Sequence, residues 1–520
     1  MKKTNNKYIQ TGIFGSLKKV VTGTGFSRIF GLFRDISTTN LMGASVFHDI
    51  FVICFKIPNT FRHFFAEGAF NQAFIPIYSD YHKKNDINAS KEFLNAVAGT
   101  LLVILFSFTV LVLIFAPIFL FLFAPGFYFD PLKQDLSVEI LRIMFPYLAL
   151  ISLVAFAGGI QNTHNKFSIP AFTPVVFNIC LIVAAVFIAP NFEMPIYVLA
   201  WGVLLSGFLQ FLIQIAPLLM INRLPIPKLN FKNKGVKNFL KLILPAILAG
   251  GIFHINLLID TIFASLLETG SPTWLYVSDR LIQFPMGIFA IAVGTVLLPT
   301  LSKFDLEKER NKFIDNIKKG QRFVLFIGIP SLLGLFLCAE DLISTIFYRG
   351  AFKEFDVINA SYSLMAFSLG LPFFMLMKVL TPAFFSRKDT KTPMYVALIS
   401  LILNAILNYL FAFTFGLGHV GIAIGSSISA LISVLILEFI LFKDGFVRIS
   451  SIFNRFNLTI IISSISLIIF LNFFSQKYNF LQLNQLERIY YLSIEVVLAV
   501  VIYFSISRLI YGKPLKNLLD

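Results

Sequence analysis

Arg28, Arg34, Arg62 and Arg280 stand inside long apolar runs of this sequence. An ionised side chain costs about 2.5–3.5 kcal/mol at a helix centre in hydrocarbon, so each needs a partner or a water-filled cavity. A guanidinium is planar, and its fork of donors meets phosphate oxygens two at a time. Arg28, Arg62 and Arg280 therefore read as ligands for a large anion; a small amine or sugar would not need them. The same runs carry Asp35, Asp49, Lys56, Glu67, Asp279 and Lys378. For Asp35, Asp49, Lys56, Glu67 and Lys378, structural ion pairing or snorkelling at a membrane edge explains the charge equally well. Arg28 and Asp35, seven residues apart, return to nearly one face of a helix and so flank one cavity.

Other polar positions carry weaker signals. Asp260, with Asn404 and Asn408 four residues apart on one helix face, offers hard oxygen ligands to a monovalent cation such as sodium. Hydrogen bonding of the asparagines between helices is the simpler alternative. His48, His63 and His254 lack metal-ligand spacing and read as packing residues. Cys54, Cys180 and Cys338 lie far apart in apolar runs and read as small buried hydrophobes, with no metal, redox or disulfide pattern. There is no Walker A motif for ATP drive, no acidic pair to hold magnesium and diphosphate as in a polyprenyl transferase, and nothing resembling a channel filter. No cofactor is expected beyond a coupling sodium ion.

The elements that position these residues are membrane helices. Of 520 residues, 57% are hydrophobic and 13% charged, far from the balance of soluble domains. About fourteen stretches reach the roughly 20 residues a span requires, leaving no room for a soluble domain. The expected fold is an all-α polytopic membrane protein. The net charge of +16 is not gathered on one face, which argues against a nucleic-acid partner. It alternates instead. Segments such as 82–91, 223–241, 303–322, 387–391 and 443–455 are rich in Lys and Arg, whereas 190–195, 268–273 and 416–421 are poor. The positive-inside rule then puts both termini in the cytoplasm. The short basic N-terminus lacks the apolar core of a signal peptide and is expected to be retained.

An internal repeat divides the chain. Pro76 and Pro299, and Pro170 and Pro393, are each 223 residues apart, and the segments around Phe127 and Phe352 fall near the same shift. Six helices separate the copies, so they run in parallel. This predicts an N-lobe over 1–223 (spans one to six), a C-lobe over 224–445 (spans seven to twelve), and two extra apolar helices over 446–520. Spans one, two, seven and eight are long and polar enough to line an aqueous cavity.

The runs Phe26–Asp35 (FSRIFGLFRD) and Phe55–Pro76 (FKIPNTFRHFFAEGAFNQAFIP) resemble the signature of the MurJ (MviN) lipid II flippase family, within the multidrug/oligosaccharidyl-lipid/polysaccharide exporter superfamily. The resemblance continues through Asn165–Pro174, Thr261–Ser265, Ser278–Pro285, Gly294–Pro299 and Phe384–Pro393. It implies that the protein is a transporter, not an enzyme, acting in peptidoglycan biosynthesis in the bacterial inner membrane. Its substrate would be lipid II, undecaprenyl-pyrophosphate-linked disaccharide-pentapeptide, flipped from the cytoplasmic to the periplasmic leaflet by rocking of the lobes. Arg28, Arg34, Arg62 and Arg280 fall on the family's essential cationic positions, Asp49 on its acidic one, and the last two helices on its lipid-tail groove. Gln283 stands where some members have Glu, and Asp260 where members alternate between Asn and Asp. Arg28, Arg62 and Arg280 are expected to meet in one cavity between the lobes. Beyond membrane lipids, the cell-wall synthesis machinery is the partner this role suggests. A drug or polysaccharide exporter of the same superfamily is the alternative, disfavoured because the arginines repel cationic drugs.

Overall fold

The computed structural model describes residues 25–65, 69–83, 86–447 and 454–511, without the side chains of 64–65, 69, 71–72, 244–255 and 257. Glu67, and the side chain of His254, lie outside what is described. All regular elements among the described residues are helices. Hydrocarbon offers no partner to backbone N–H and C=O groups, and a helix satisfies them within one segment. Among the described residues, eleven helices are long and apolar enough to cross a bilayer. In chain order, and with the three more polar or partly described ones included, the series is α1 (25–42), α2 (Val46–Phe65), α3 (Ile87–Ile114), α4 (Pro131–Thr163), α5 (Ser168–Asn191), α6 (Pro195–Met220), α7 (Lys234–Ser265), α8 (Ser271–Leu301), α9 (Arg310–Leu337), α10 (Glu354–Ser386), α11 (Lys391–Thr414), α12 (Gly418–Lys443), α13 (Arg455–Lys477) and α14 (Gln485–Tyr511). Local chemistry sets several starts. Asp86, Asp130, Asn233 and Asn454 each accept backbone N–H groups of the following turn, satisfying donors that a helix start leaves open.

The repeat is written into the helix boundaries. Ile87 and Arg310, Pro131 and Glu354, Ser168 and Lys391, and Pro195 and Gly418 begin helices 223 residues apart, as 310 is from 87. Asn165 and Lys388, at the same offset, both adopt a left-handed backbone, with φ of 59° and 62°. The following residues, Lys166 and Asp389, donate back to Gln161 and Phe384, again matched at 223. Neither residue is glycine, so each accepts some strain to end one helix and start the next. Pro170 and Pro393 are both the third residue of their helices, where a missing N–H costs nothing.

By contacts the described chain divides into two compact units, one ending at Leu266 and one beginning at Leu267. Compactness therefore groups α7 with the first unit, whereas the sequence repeat begins its second copy with that helix. In the first unit, the helix Ala69–Lys83 inserts Phe70, Phe74 and Tyr78 among Phe93, Phe156 and Phe239 of α3, α4 and α7. The rings stack or meet edge to face at 5.2–6.1 Å, geometry that adds to their burial.

In the second unit α10 and α12 are the most enclosed helices and α14 the least, with 61%, 61% and 11% of their apolar windows buried. The first two therefore form its centre. Small residues let them and α11 approach. A Cβ on Gly421 of α12 would sit 2.5 Å from the Phe411 backbone, and one on Gly425, a turn later, 2.3 Å from Asn408 Oδ1. This small-xxx-small spacing replaces a hydrophobic driving force that lipid does not provide. Gly421→Leu is expected to destabilise the detergent-purified protein by about 1–3 kcal/mol, the cost of overpacking. It should lower its melting midpoint, whereas Leu at exposed Gly416, with open space around it, strains only a loop backbone and should shift it less.

Candidate functional site

In α1, Arg34 and Asp35 are both buried. Arg34 Nε and Nη2 donate to Asp35 Oδ1 at 2.9 and 2.6 Å, and Nη1 to Asn178 Oδ1 of α5 at 3.1 Å. Asn178 in turn donates to the Ser27 carbonyl at 3.0 Å, and Phe177 lies 5.4 Å beneath the Arg34 guanidinium. Arg34 thus locks α1 to α5, with its fork taken up by protein atoms. Asp35 pairs with its neighbour Arg34, not with Arg28 a face-repeat away. Arg28 differs. Its guanidinium is half-buried and makes no hydrogen bond or ion pair among the described residues.

Asp49 is buried in the first turn of α2, where the positive end of the helix favours a carboxylate. His48, beside it, lies 3.4 Å from Thr38 Oγ1, in keeping with a packing role. Arg62 occupies the last turn of α2, where the macrodipole favours a cation, and its Nε donates to Asn59 Oδ1 at 2.8 Å. Lys56 of α2 reaches Thr261 Oγ1 of α7 at 3.3 Å, next to half-buried Asp260. This polar face of α2 and α7 belongs to the first unit.

The second unit contributes Arg280 on α8. Its Nη2 donates to the Tyr276 hydroxyl at 3.0 Å, and its carbon centre sits 5.0 Å from that ring. Tyr276 thereby helps to orient the guanidinium, by a hydrogen bond and by its ring. One turn on, Gln283 donates to Asp279 Oδ2, so the amide at the position where an acid was in question serves as a hydrogen-bond partner. Asn404 and Asn408 of α11 are fully buried. Asn408 Nδ2 donates to Asn404 Oδ1 at 3.0 Å, and Asn404 Nδ2 to Ser426 Oγ of α12 at 2.9 Å. These bonds tie α11 to α12, as the hydrogen-bonding reading anticipated, and gather oxygen atoms of the hard type that a monovalent cation prefers.

Residues not singled out in the sequence turn out to hold the arginines. Asn59 and Tyr276 stand three and four residues before Arg62 and Arg280, a helical spacing that signals contact. Asn178, 144 residues from Arg34, carries no such signal. One sequence reading is corrected: α14 is not cleanly apolar, because Arg488 and Glu495 are buried along it, 7% and 0% exposed. Hydropathy averaged over the helix, still 2.1, hides two charges that packing covers.

A bundle of membrane-length helices with a parallel repeat and arginines on its polar helices defines a multi-pass membrane transporter. Its fold matches an inward-facing multidrug resistance MATE family transporter of the MOP superfamily, with a TM-score of 0.62 at 15% identity over 81% of this chain and 94% of that one. The family model for the lipid II flippase MurJ matches residues 38–491. The probable lipid II flippase MurJ of Vibrio cholerae is 40% identical over 440 residues, covering 83% of this chain and 82% of that protein. The lipid II flippase MurJ of Burkholderia cenocepacia is 34% identical, covering 95% and 96%. A solved structure, lipid II flippase MurJ in an inward closed conformation, superposes with a TM-score of 0.80 at 28% identity, covering 95% of this chain and 98% of that one. The chain belongs to the MurJ family of lipid II flippases.

Proposed function

We propose that this protein flips lipid II from the cytoplasmic to the periplasmic leaflet of the bacterial inner membrane by alternating access, with both of its own termini in the cytoplasm. Arg28, Arg62 and Arg280 are the ligands of the substrate's pyrophosphate. The observation that carries this reading is Arg28, a half-buried guanidinium in a membrane helix that no described residue engages; an anionic ligand repays the cost of placing it there. Asn59 and Tyr276 each accept a hydrogen bond from the neighbouring guanidinium and so help to orient Arg62 and Arg280. Arg34 acts through α1, holding the helix that presents Arg28, and Asp49 anchors the start of α2. The apolar flank of α13 and α14 accepts the polyprenyl tail. An inside-negative membrane potential favours outward movement of the anion, by about 2.3 kcal/mol per charge per 100 mV.

The test is replacement. Cells depleted of their own flippase and supplied with this chain should grow and keep lipid-linked precursor from accumulating on the inner face. Accumulation at normal protein abundance would remove the substrate assignment. We further propose that sodium couples the cycle through Asp260, Asn404 and Asn408, whose oxygens suit a hard cation. Flipping in proteoliposomes should fall at least about tenfold when sodium is replaced by choline, and Asp260→Asn should abolish that dependence. An Asp260→Asn variant with unchanged sodium dependence excludes this site.

A further inference from the structure

Cys338, Asp341 and Glu495 meet in the second unit, on α14, the end of α9 and the short helix after it, none of which carries Arg28, Arg62 or Arg280. Cys338 caps the end of α9, Asp341 lies in the first turn of the short helix Ala339–Phe347, and Glu495 stands on α14. They are 4%, 4% and 0% exposed, and a ligand atom from each lies within 4.8 Å of the others. The Cys338 thiol donates to Glu495 Oε1 at 3.1 Å, while Asp341 Oδ2 and Glu495 Oε2 are buried with no hydrogen-bond partner. Nearby cations do not relieve them. Arg488 gives its N–H groups to the carbonyls of Tyr348, Phe480 and Leu481, and Arg349 Nη2 donates to that of Thr345. Around Cys338 the packing is otherwise apolar, with Phe326, Phe456, Leu467 and Tyr503 in one cluster.

The repeat shows that this polarity is an addition. The positions 223 residues before Cys338 and Asp341 are Phe115 and Ile118, apolar and 47% and 52% exposed in the first unit. A sulfur and a carboxylate replace them only in the copy that α14 covers, and α14 brings the second carboxylate. Two carboxylates set side by side in an apolar pocket repel each other and lose hydration.

We propose that Cys338, Asp341 and Glu495 bind one divalent transition-metal ion of the zinc class, stapling α14 to the end of α9. A thiolate with carboxylates suits zinc and disfavours magnesium or calcium, which take oxygen alone. Zinc lies about 2.3 Å from sulfur and about 2.0–2.2 Å from carboxylate oxygen, so in tetrahedral coordination its ligands stand about 3.4–3.6 Å apart. Cys338 Sγ and Glu495 Oε1 are already near that spacing at 3.1 Å, and the trio, within 4.8 Å throughout, closes on an ion with side-chain shifts of about an ångström. Binding displaces the thiol proton and gives the orphaned carboxylate oxygens a partner.

The experiment uses full-length protein in detergent, stripped with a chelator and titrated with cobalt(II), a spectroscopic stand-in for zinc. The expected result is a thiolate-to-cobalt band in the near ultraviolet with visible ligand-field bands, both displaced by zinc, and one equivalent of zinc retained through gel filtration. Cys338→Ser should remove the near-ultraviolet band, and Glu495→Gln should weaken cobalt binding by at least about 100-fold. Monodisperse wild-type protein that shows neither band and retains no zinc overturns the site, the carboxyls then being held neutral by protons. That spectrum decides the matter even if Glu495→Gln fails to fold, and it does not depend on the flipping assignment.

Discussion

Arg28→Ala, Arg62→Ala and Arg280→Ala should each leave a depleted cell unable to grow, with lipid-linked precursor held on the inner face, although the variant proteins reach the membrane in normal amounts. Truncating one partner of a desolvated, charge-assisted pair costs about 2–5 kcal/mol, so flipping should fall about 30-fold or more at each site. Arg28→Ala is the cleanest of the three, because its side chain holds nothing else among the described residues. Lysine should rescue poorly. An ammonium restores the charge but not the fork that bridges two phosphate oxygens, and at Arg280 it also loses the planar contact with Tyr276. Lys232→Ala is the control, since Lys232 is exposed in the turn before α7. Normal growth of all three alanine variants at normal abundance would assign the arginines to structure and leave pyrophosphate recognition without a basis.

Arg34→Ala should fail for a different reason and in a different assay. The side chain is buried and bonded to Asp35 and Asn178. Removing one member of a buried ion pair strands the other and costs about 3–5 kcal/mol. The variant should be scarce in the membrane and melt early in detergent, whereas Arg28→Ala should be abundant and melt normally. Replacing both members of the pair, Arg34→Met with Asp35→Leu, should recover much of the lost stability, because no buried charge is then left unmatched. Equal abundance and equal melting of Arg34→Ala and wild type would show that Arg34 is free to serve the substrate directly.

The contrast between Arg28 and Arg34 marks how far the sequence could be read. Both arginines look alike in FSRIFGLFRD, and the resemblance to the flippase family places both on essential positions. Only the packed structure separates them, because Asn178 comes from another helix 144 residues away. Asn59 before Arg62 and Tyr276 before Arg280 were within reach, since residues three or four apart on a helix touch regardless of tertiary packing. Cys338 was read as a small hydrophobe for want of a local partner; its neighbour Glu495 lies 157 residues on.

What the sequence alone determined is what each segment must do to live in hydrocarbon. A backbone without water must bond to itself within one helix, so apolar length announced the spans, and the offset of 223 between Pro170 and Pro393 announced a parallel repeat that the helix boundaries then carried along the chain. Those are local or periodic properties, legible one segment at a time. What only the tertiary structure decided is which charges are taken up by which protein partners among the described residues. That depends on faces brought together by packing between helices distant in sequence, through contacts too few and too specific to leave a period. Arg34 was thereby bound into α5, Arg488 and Glu495 were buried on a helix that reads as apolar, and Arg28 was left unengaged among the described residues.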